Sequence, residues 1–222
     1  MISDHDRRFY IGGSDASKLI MNKNTKTYEE WWLGKLGAVE IDHADTIYTA
    51  TGTRFEHPIL DKYAESLGIE INKDRQIIIE DKMLRINYDG DWDGTIFEVK
   101  THKADAVKPF DAHSKYIENQ CLLQMYVWQE TMPEFKNLFV LEYPLYPEDY
   151  ANESPTVDDI DFSRIKAHRI KYKRKKVDKL LEELEPLIPE LKGAKERWQG
   201  GKSFGQSSQE VTFQNATSQD EQ

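Results

Sequence analysis

Apolar residues in the first third of the chain recur every three to four positions, which is the spacing of helices with one buried face. Within residues 53–68 the positions that follow this spacing are Phe55, Ile59, Tyr63 and Leu67. Gly68 is placed to end this helix. The pattern therefore predicts a helix over 53–68 in which Pro58 lies early, where a helix tolerates proline best.

Two shorter segments before it are also predicted to be helical. In residues 11–21 a glycine turn precedes Ser14 and Asp15, and either residue can cap the N-terminus of a helix. Residues 28–37 form the second segment, which Gly34 or Gly37 would end.

After residue 68 the apolar spacing changes to that of strands. Residues 69–80 and 83–100 are predicted to be strands, and Asp93-Gly94 is a strong hairpin turn within the second segment. The remaining predicted elements are a helix over 114–130, a core strand over 135–146, a short strand within 168–174 and a final helix over 177–198, bent near Pro186 and Pro189. In the helix over 114–130, one apolar face is formed by Ile117, Cys121, Met125 and Trp128.

The order of these elements predicts an α+β (mixed α/β) fold with a central sheet flanked by helices. A chain of 222 residues can bury one sizeable core, so we expect one domain over residues 1–199. Residues 200–222 are rich in Ser, Gln, Gly and Asn, which is typical of a flexible tail.

Charge and composition exclude several classes of protein. No apolar run has the length of a membrane span, and no signal peptide is visible, so we expect an intracellular, cytoplasmic protein. One cysteine, Cys121, excludes an internal disulfide, and the six histidines lack the spacing of a zinc site. The net charge is −10, yet residues 164–176 carry eight Lys/Arg and no acid, so a local nucleic-acid surface is compatible with the acidic total.

The chemically informative segment is the hairpin over residues 87–100. If Asp93-Gly94 form a type I′ turn, the facing pairs are Trp92 with Thr95, Asp91 with Ile96, Gly90 with Phe97, and Asp89 with Glu98. Lys100 lies two residues beyond Glu98 and projects from the same face. The hairpin thus predicts a patch that holds Asp89, Glu98 and Lys100.

Two facing carboxylates repel each other, and a divalent cation would remove the conflict. Oxygen ligands suit Mg²⁺ or Mn²⁺, and the carbonyl oxygen of Val99 is a further candidate ligand. A neighbouring lysine can stabilise developing negative charge or help to activate a water molecule. The alternative is a solvated hairpin with ordinary surface charges, although Ile96, Phe97 and Val99 indicate that the strand is buried on at least one face.

Asp89 followed by Glu98-Val99-Lys100 resembles the D…(D/E)xK motif of the PD-(D/E)XK nuclease superfamily. Up to about residue 195 the chain is similar to phage lambda exonuclease and YqaJ-like recombination exonucleases. The supporting motifs, in chain order, are IGGSDASKLI (11–20), GTRFE (52–56), NYDG (87–90) and QMYVW (124–128). Asn87 and Tyr88 replace the proline that gives the superfamily its name.

The resemblance implies roles for individual residues. Asp89 and Glu98 would be metal-binding carboxylates, Lys100 the catalytic lysine, and Glu56 the helix glutamate that completes the metal site. Gln124 would lie near the attacking water, with Gln120, one helical turn away, as the competing candidate.

The N-terminal motif implies a pocket for a DNA 5′-phosphate. Arg7 and Ser14 match the family's arginine and serine there, and Arg8 could replace Arg7 by a one-residue shift. Of the other hairpin acids, Asp91 is a candidate for a supporting role beside the site, whereas Asp93 is most simply a turn residue.

The function implied by the resemblance is a Mg²⁺- or Mn²⁺-dependent 5′→3′ exonuclease with one or two cations per site. It would degrade one strand of linear duplex DNA in phage or prophage recombination, in the cytoplasm of a bacterial host. Expected partners are DNA ends, two further copies of the chain in a trimeric ring, and a single-strand annealing protein. The alternatives are another nuclease of the superfamily, acting as an endonuclease or linked to a helicase, or a non-catalytic DNA-binding recombination scaffold.

The basic run over 164–176 is expected to contact the DNA backbone. Strand alternation across 168–174 would place Arg169, Lys171 and Lys173 on one face. A solvated charged edge that discourages strand pairing is the competing interpretation.

Overall fold

The computed structural model of the protein describes residues 8–39, 46–132 and 134–200. Its helices are α1 (Ala16–Leu19), α2 (Lys26–Lys35), α3 (Ile47–Leu67), α4 (Lys115–Thr131), α5 (Pro147–Ala151), α6 (Arg174–Leu184) and α7 (Ile188–Gln199). Its strands are β1 (Asn72–Ile79), β2 (Leu84–Trp92), β3 (Thr95–Lys103), β4 (Asn137–Leu145) and β5 (Lys166–Ile170). The tail after Gly200 lies outside the described residues, so its flexibility stays a prediction.

The five strands form one sheet in the order β1-β2-β3-β4-β5. The pair β3–β4 is parallel and the other pairs are antiparallel, which makes the sheet mixed. Helix α4 lies in the crossover between the two parallel strands, as such a connection requires. The predicted α+β class is therefore confirmed.

Apolar side chains form one cluster on each face of the sheet. On one face, Ile96 of β3 belongs to the cluster that includes α4, the N-terminal segment, α6 and α7. On the other face, Phe97 and Val99 belong to the cluster that includes α3. The alternation along β3 thus directs even-numbered residues toward α4 and odd-numbered residues toward α3.

Helix α3 begins earlier than its apolar spacing predicts. The helix starts after Thr46, whose side chain accepts a hydrogen bond from the Thr49 N–H, and it ends at Gly68 in the left-handed conformation. Pro58 therefore lies in the middle of the helix, and the prediction that it lies early is wrong. Ile47 and Tyr48 are followed one turn later by Thr51 and Gly52, so no apolar residue recurs at helical spacing before Phe55.

The other helix boundaries follow the sequence more closely. The N-terminal segment forms a single 3₁₀ turn over Gly13–Asp15 before the short α1. Gly34 is buried inside α2, and Gly37, with φ of 70°, follows its end. The predicted bend in the last helix is a break, because a 3₁₀ turn over Glu185–Leu187 separates α6 from α7.

Helix α4 is buried on all sides and not on one face alone. Every residue from Ile117 to Trp128 is buried, including the polar Glu118, Gln120 and Gln124. A helix that is enclosed on all sides must satisfy its polar side chains inside the protein. These polar residues consequently mark the places where α4 meets charged groups.

Candidate active site

The hairpin of β2 and β3 has the predicted turn and register. Asp93 and Gly94 both have positive φ, at 45° and 75°, as a type I′ turn requires. The ladder pairs run from Trp92–Thr95 to Gly90–Phe97 and end there. The confirmed register places Asp89 and Glu98 on either side of the point where the two strands part.

Asp89 and Glu98 are therefore not a ladder pair. Instead, the Asp89 carboxylate accepts a hydrogen bond from the backbone N–H of Val99 at 2.7 Å. The side chain of Asp89, on β2, thus accepts the bond that a backbone carbonyl would accept in a continuous ladder. The backbone ladder between β2 and β3 therefore ends beside the two carboxylates.

Glu98 is almost completely enclosed, with 2% of its surface exposed. Its Oε1 accepts hydrogen bonds from Lys100 Nζ and Gln120 Nε2, each at 2.5 Å. Its Oε2 accepts one from Gln124 Nε2, also at 2.5 Å. Both glutamines weighed in the sequence therefore contact the same carboxylate.

Helix α4 delivers these two glutamines from one side of the sheet. The hydroxyl of Tyr88 donates to the backbone carbonyl of Gln124 at 2.8 Å and ties α4 to β2. The Oε1 atoms of Gln120 and Gln124 are buried and have no hydrogen-bond partner. Two unpartnered amide oxygens next to a carboxylate are free acceptors in this site.

Glu56 approaches from the opposite side, on α3. Its carboxyl group lies close enough to that of Asp89 for the two groups to affect each other's pKa. Glu56, Asp89, Glu98 and Lys100, which the sequence analysis assigned to one site, are thus brought together.

The site holds more negative than positive charge. Burial, and then the charges of Glu98 and Glu56, raise the pKa of Asp89 well above its usual range. Burial also raises the pKa of Glu56, and Glu98 adds to this effect. Burial would lower the pKa of Lys100, but Glu98 and Asp89 outweigh it and the net pKa is raised, so this lysine is cationic.

The carboxylates do not already surround one point. Among the residues that the structure describes, no three His, Cys, Asp or Glu side chains are arranged as a set of metal ligands. The reason is visible at Glu98, whose two oxygen atoms are occupied by Lys100, Gln120 and Gln124. The Val99 carbonyl as a ligand stays a prediction.

Ser14 follows a glycine that packs against the two glutamines of the site. The neighbouring Gly13 packs so closely on α4 that a Cβ atom there would be 3.3 Å from Gln120 Cγ and 3.5 Å from Gln124 Cγ. Ser14 itself is exposed. Arg7 lies outside the described residues, and the guanidinium of Arg8 stacks over the ring of Trp198 at 4.6 Å.

Asp91 and Asp93 have roles outside the site. Asp91 is buried and pairs with Arg75 of β1, where its Oδ1 accepts from Nε at 2.5 Å, so it joins β1 to β2. Asp93 forms an exposed ion pair with Lys136 at 2.6 Å. The interpretation of Asp93 as a turn residue is confirmed.

A second buried carboxylate beside Lys100 was not predicted from the sequence. Glu142 of β4 is the ladder partner of Lys100, and its two oxygens contact His102 Nε2 at 3.0 Å and His168 Nε2 at 2.7 Å. Burial raises the pKa of Glu142, but the bonds to both histidines outweigh this and lower it. Strand alternation places His102 on the same face as Glu98 and Lys100, but no spacing in the sequence links it to Glu142 or His168.

The basic run departs from its predicted geometry. Strand β5 ends at Ile170, so the alternation that would align Lys171 and Lys173 with Arg169 is wrong. Lys173 precedes α6 and, with Lys176, contacts the buried Glu118 of α4. Part of the run therefore holds α6 against the core.

Three comparisons with known proteins bear on this site. The model of the YqaJ-like viral recombinase domain matches residues 4–131. A search of curated proteins found no match. Among solved structures, an alkaline exonuclease from Laribacter hongkongensis, LHK-Exo, superposes with a TM-score of 0.59 at 14% identity, covering 89% of this chain and 95% of the other.

A phage-related exonuclease from Haemophilus somnus 129PT is similar in the same way. Its TM-score is 0.55 at 15% identity, over 87% of this chain and 96% of the other. LHK-Exo has also been crystallised in complex with dAMP. At these identities the likeness establishes the fold alone. In the described part of the chain, no helix is both long enough and apolar enough to cross a membrane.

Proposed function

The chain belongs to the family of YqaJ-like viral recombinase domains, and on this premise we propose that it is a metal-dependent 5′→3′ exonuclease. It would degrade one strand of linear duplex DNA and expose a 3′ single strand for phage-type recombination. One observation carries the proposal: Glu56, Asp89, Glu98 and Lys100 converge where β2 and β3 part.

The charge balance at this point favours a divalent cation. Three carboxyl groups share one lysine, and the amide oxygens of Gln120 and Gln124 have no partner. Hard oxygen donors of this kind suit Mg²⁺ or Mn²⁺, which Glu56, Asp89 and Glu98 would hold, one or two per site. When bound, such a cation supplies stabilisation of negative charge on a scissile phosphate.

The protein's own groups provide the rest of the chemistry. Hydrolysis of a phosphodiester places additional negative charge on the phosphate oxygens, and the Lys100 ammonium can stabilise that charge. Gln120 and Gln124 fix the orientation of Glu98, and their free Oε1 atoms can accept hydrogen bonds from an attacking water molecule.

The N-terminal segment supports preference for a DNA end. Gly13 packs on the two glutamines, and the next residue, Ser14, is exposed. A serine and an arginine beside the site would bind the terminal 5′-phosphate with charge-assisted hydrogen bonds. We assign the arginine to Arg7, because Arg8 stacks on Trp198.

The experiment is digestion of linear duplex DNA labelled at either the 5′ or the 3′ end, with Mg²⁺ or with EDTA. The expected result is Mg²⁺-dependent early release of the 5′ label, faster on phosphorylated than on dephosphorylated ends. The variants Arg7→Ala and Ser14→Ala should reduce that difference. Cleavage of a closed circle would indicate an endonuclease, and DNA binding without any cleavage would indicate a scaffold.

The assembly and setting are proposed from the same family relation. A trimeric ring around DNA, an annealing protein as partner, and the bacterial host cytoplasm as location are consistent with an exonuclease of phage recombination. An acidic exterior with Lys/Arg facing a central channel would reconcile the charge of −10 with DNA binding. Light scattering of the purified protein tests the ring, and a mass of one or two chains would contradict it.

A further inference from the structure

A cleft lies beyond Lys100 at the carboxyl ends of β3 and β4. It encloses about 290 Å³ and is lined by Tyr48, Thr101, His102, Lys103, Leu145 and Tyr150. Lys103 and Leu145 are the last residues of their strands. The cleft thus continues the strand that carries Glu98 and Lys100.

Helix α3 connects the cleft to the cleavage site. Tyr48, Gly52 and Glu56 follow one another at intervals of one turn, so about 12 Å of helix axis separates Tyr48 from Glu56. A Cβ atom at Gly52 would be 2.7 Å from Thr101 Oγ1, so this glycine allows α3 to lie directly on β3. That contact fixes the cleft relative to the carboxylates.

Two tyrosines form the aromatic wall of the cleft. The side chain of Tyr48 is 54% exposed, and its ring meets that of Tyr150 edge to face at 5.5 Å between centroids. Packing in the core therefore does not account for the position of Tyr48. An exposed aromatic face beside a nuclease site suits stacking with an unpaired base.

The charged groups around the tyrosines suit a phosphate. Lys103 pairs with Asp105 at 3.1 Å, and both side chains are about half exposed or more, at 49% and 71%. Such exposed pairs are weak, so a DNA phosphate can replace Asp105 as the partner of Lys103. The neighbouring acid Asp149 is already paired with Arg164.

His102 forms a fixed part of the cleft. Its ring stacks on Phe110 with centroids 5.0 Å apart, and its Nε2 contacts Glu142, which also holds His168. The imidazole is therefore oriented by Phe110 and by Glu142 of β4.

We propose that this cleft binds an unpaired nucleotide of the strand being digested, next to the cleavage site. The base would stack on Tyr48 and Tyr150, and Lys103 would contact the phosphate. The proposal rests on the proposed exonuclease function, since it identifies where the separated strand is held.

The test measures binding in EDTA, where no cleavage is expected, by fluorescence anisotropy. The probes are a duplex whose 5′-terminal nucleotides are unpaired and the same duplex with abasic sugars at those nucleotides. For the first probe, Tyr48→Ala should weaken binding about tenfold, and Tyr48→Phe, which keeps the ring, should restore it. For the abasic probe, Tyr48→Ala should have no effect.

A matched control exists for the lysine. Lys103→Gln should weaken binding of both probes several-fold and reduce its salt dependence. Lys136→Gln removes the same charge from a similarly exposed pair, Lys136–Asp93, and should change neither probe's affinity.

Two results would overturn the proposal. One is an equal loss of affinity for both probes in Tyr48→Ala, which would mean that the ring contacts no base. The other is an unchanged affinity of Tyr48→Ala for both probes, which would mean that the cleft binds something else, such as a peptide or a second copy of the chain. If the wild-type protein digests linear duplex but Tyr48→Ala binds both probes as the wild type does, only the proposal for the cleft is contradicted. If the wild-type protein neither binds nor digests linear duplex, the proposed function is contradicted.

Discussion

Glu118 of helix α4 and the carboxyl groups of the candidate active site are all buried, but they differ in how their charge is balanced. At Glu118, one carboxylate contacts two lysines, Lys173 and Lys176, which outweigh the effect of burial and lower its pKa. At the candidate active site, three carboxyl groups share Lys100, and burial and mutual repulsion raise the pKa of Asp89. The charge of Glu118 is balanced by lysines of the chain itself, whereas the candidate active site retains a surplus of negative charge.

This difference separates structural from functional polar groups. A buried ion pair with matched charge needs nothing further, and its loss is expected to affect folding. Buried like charges reduce the stability of a fold, so they indicate a ligand that offsets them. Substitution of Glu118 should therefore reduce stability and not activity, whereas substitutions in the candidate active site should reduce activity and not stability.

The largest expected effect is on catalysis. Glu98→Gln, Asp89→Ala and Lys100→Ala should each reduce Mg²⁺-dependent release of nucleotides at least about 100-fold, because the first two remove proposed ligands of the cation and the third removes the ammonium that would stabilise charge on the phosphate. Circular dichroism should show a retained fold, and binding to DNA should persist in EDTA. Near wild-type rates in these folded variants would contradict the site.

Glu118→Gln should affect folding and leave the specific activity of the folded enzyme unchanged. The two lysines are about half exposed and can regain water, so we expect a loss of about 1–2 kcal/mol in the free energy of unfolding. Urea denaturation at pH 7 measures it.

The pH dependence of the Glu118 effect follows from the direction of the pKa shift. Because the pKa of Glu118 is lowered in the folded state, its contribution is present above the unfolded value near 4.5 and is lost as pH falls through the folded pKa. The wild-type advantage over Glu118→Gln should therefore shrink on acidification. An advantage that grows at low pH would contradict this account.

Asp89→Asn should increase stability in EDTA by on the order of 1 kcal/mol at pH 7, because it removes one of several like charges. The pKa of Asp89 is raised in the fold, so the ionised carboxylate disfavours folding at neutral pH, and the cost disappears as pH falls below the unfolded value. Thermal unfolding with and without Mg²⁺ measures it. Addition of Mg²⁺ should stabilise the wild-type protein more than the variant, and a destabilised variant in EDTA would contradict the charge surplus.

The smallest expected effect concerns the basic run. Since Lys173 and Lys176 contact Glu118, the members left for DNA include the exposed Arg169 and Lys171. Their joint replacement by Gln should reduce the slope of log K against log salt by up to about 2, at roughly 0.9 per phosphate contact. Truncation after Gly200 serves as the comparison and should leave the slope unchanged.

Local patterns predicted the hairpin well because its turn and register depend on neighbouring residues. Asp93-Gly94 specifies a type I′ turn, and the turn fixes which residues face each other as far as Gly90 and Phe97. The end of the ladder at Asp89 could not be predicted in this way, since it depends on α3 and α4, which pack from opposite faces.

Most contacts between distant segments could not be predicted from the sequence. The choice between Gln120 and Gln124 stayed open because both lie on one side of α4, and the structure shows that both contact Glu98. The histidines at Glu142 come from two strands that are separated by about 65 residues, so no spacing rule could join them. The start of α3 was missed because its first turns lack a large apolar stripe.

The hydrogen bond from the Val99 N–H to Asp89 has a consequence for spectroscopy. Most amide protons in a sheet exchange with solvent at rates set by the opening of the backbone ladder. The Val99 proton is instead held by a carboxylate, so its exchange rate and its chemical shift should respond to the charge and partners of that one side chain. A single amide resonance in the centre of the molecule can therefore report on the state of the cleavage site without any added label.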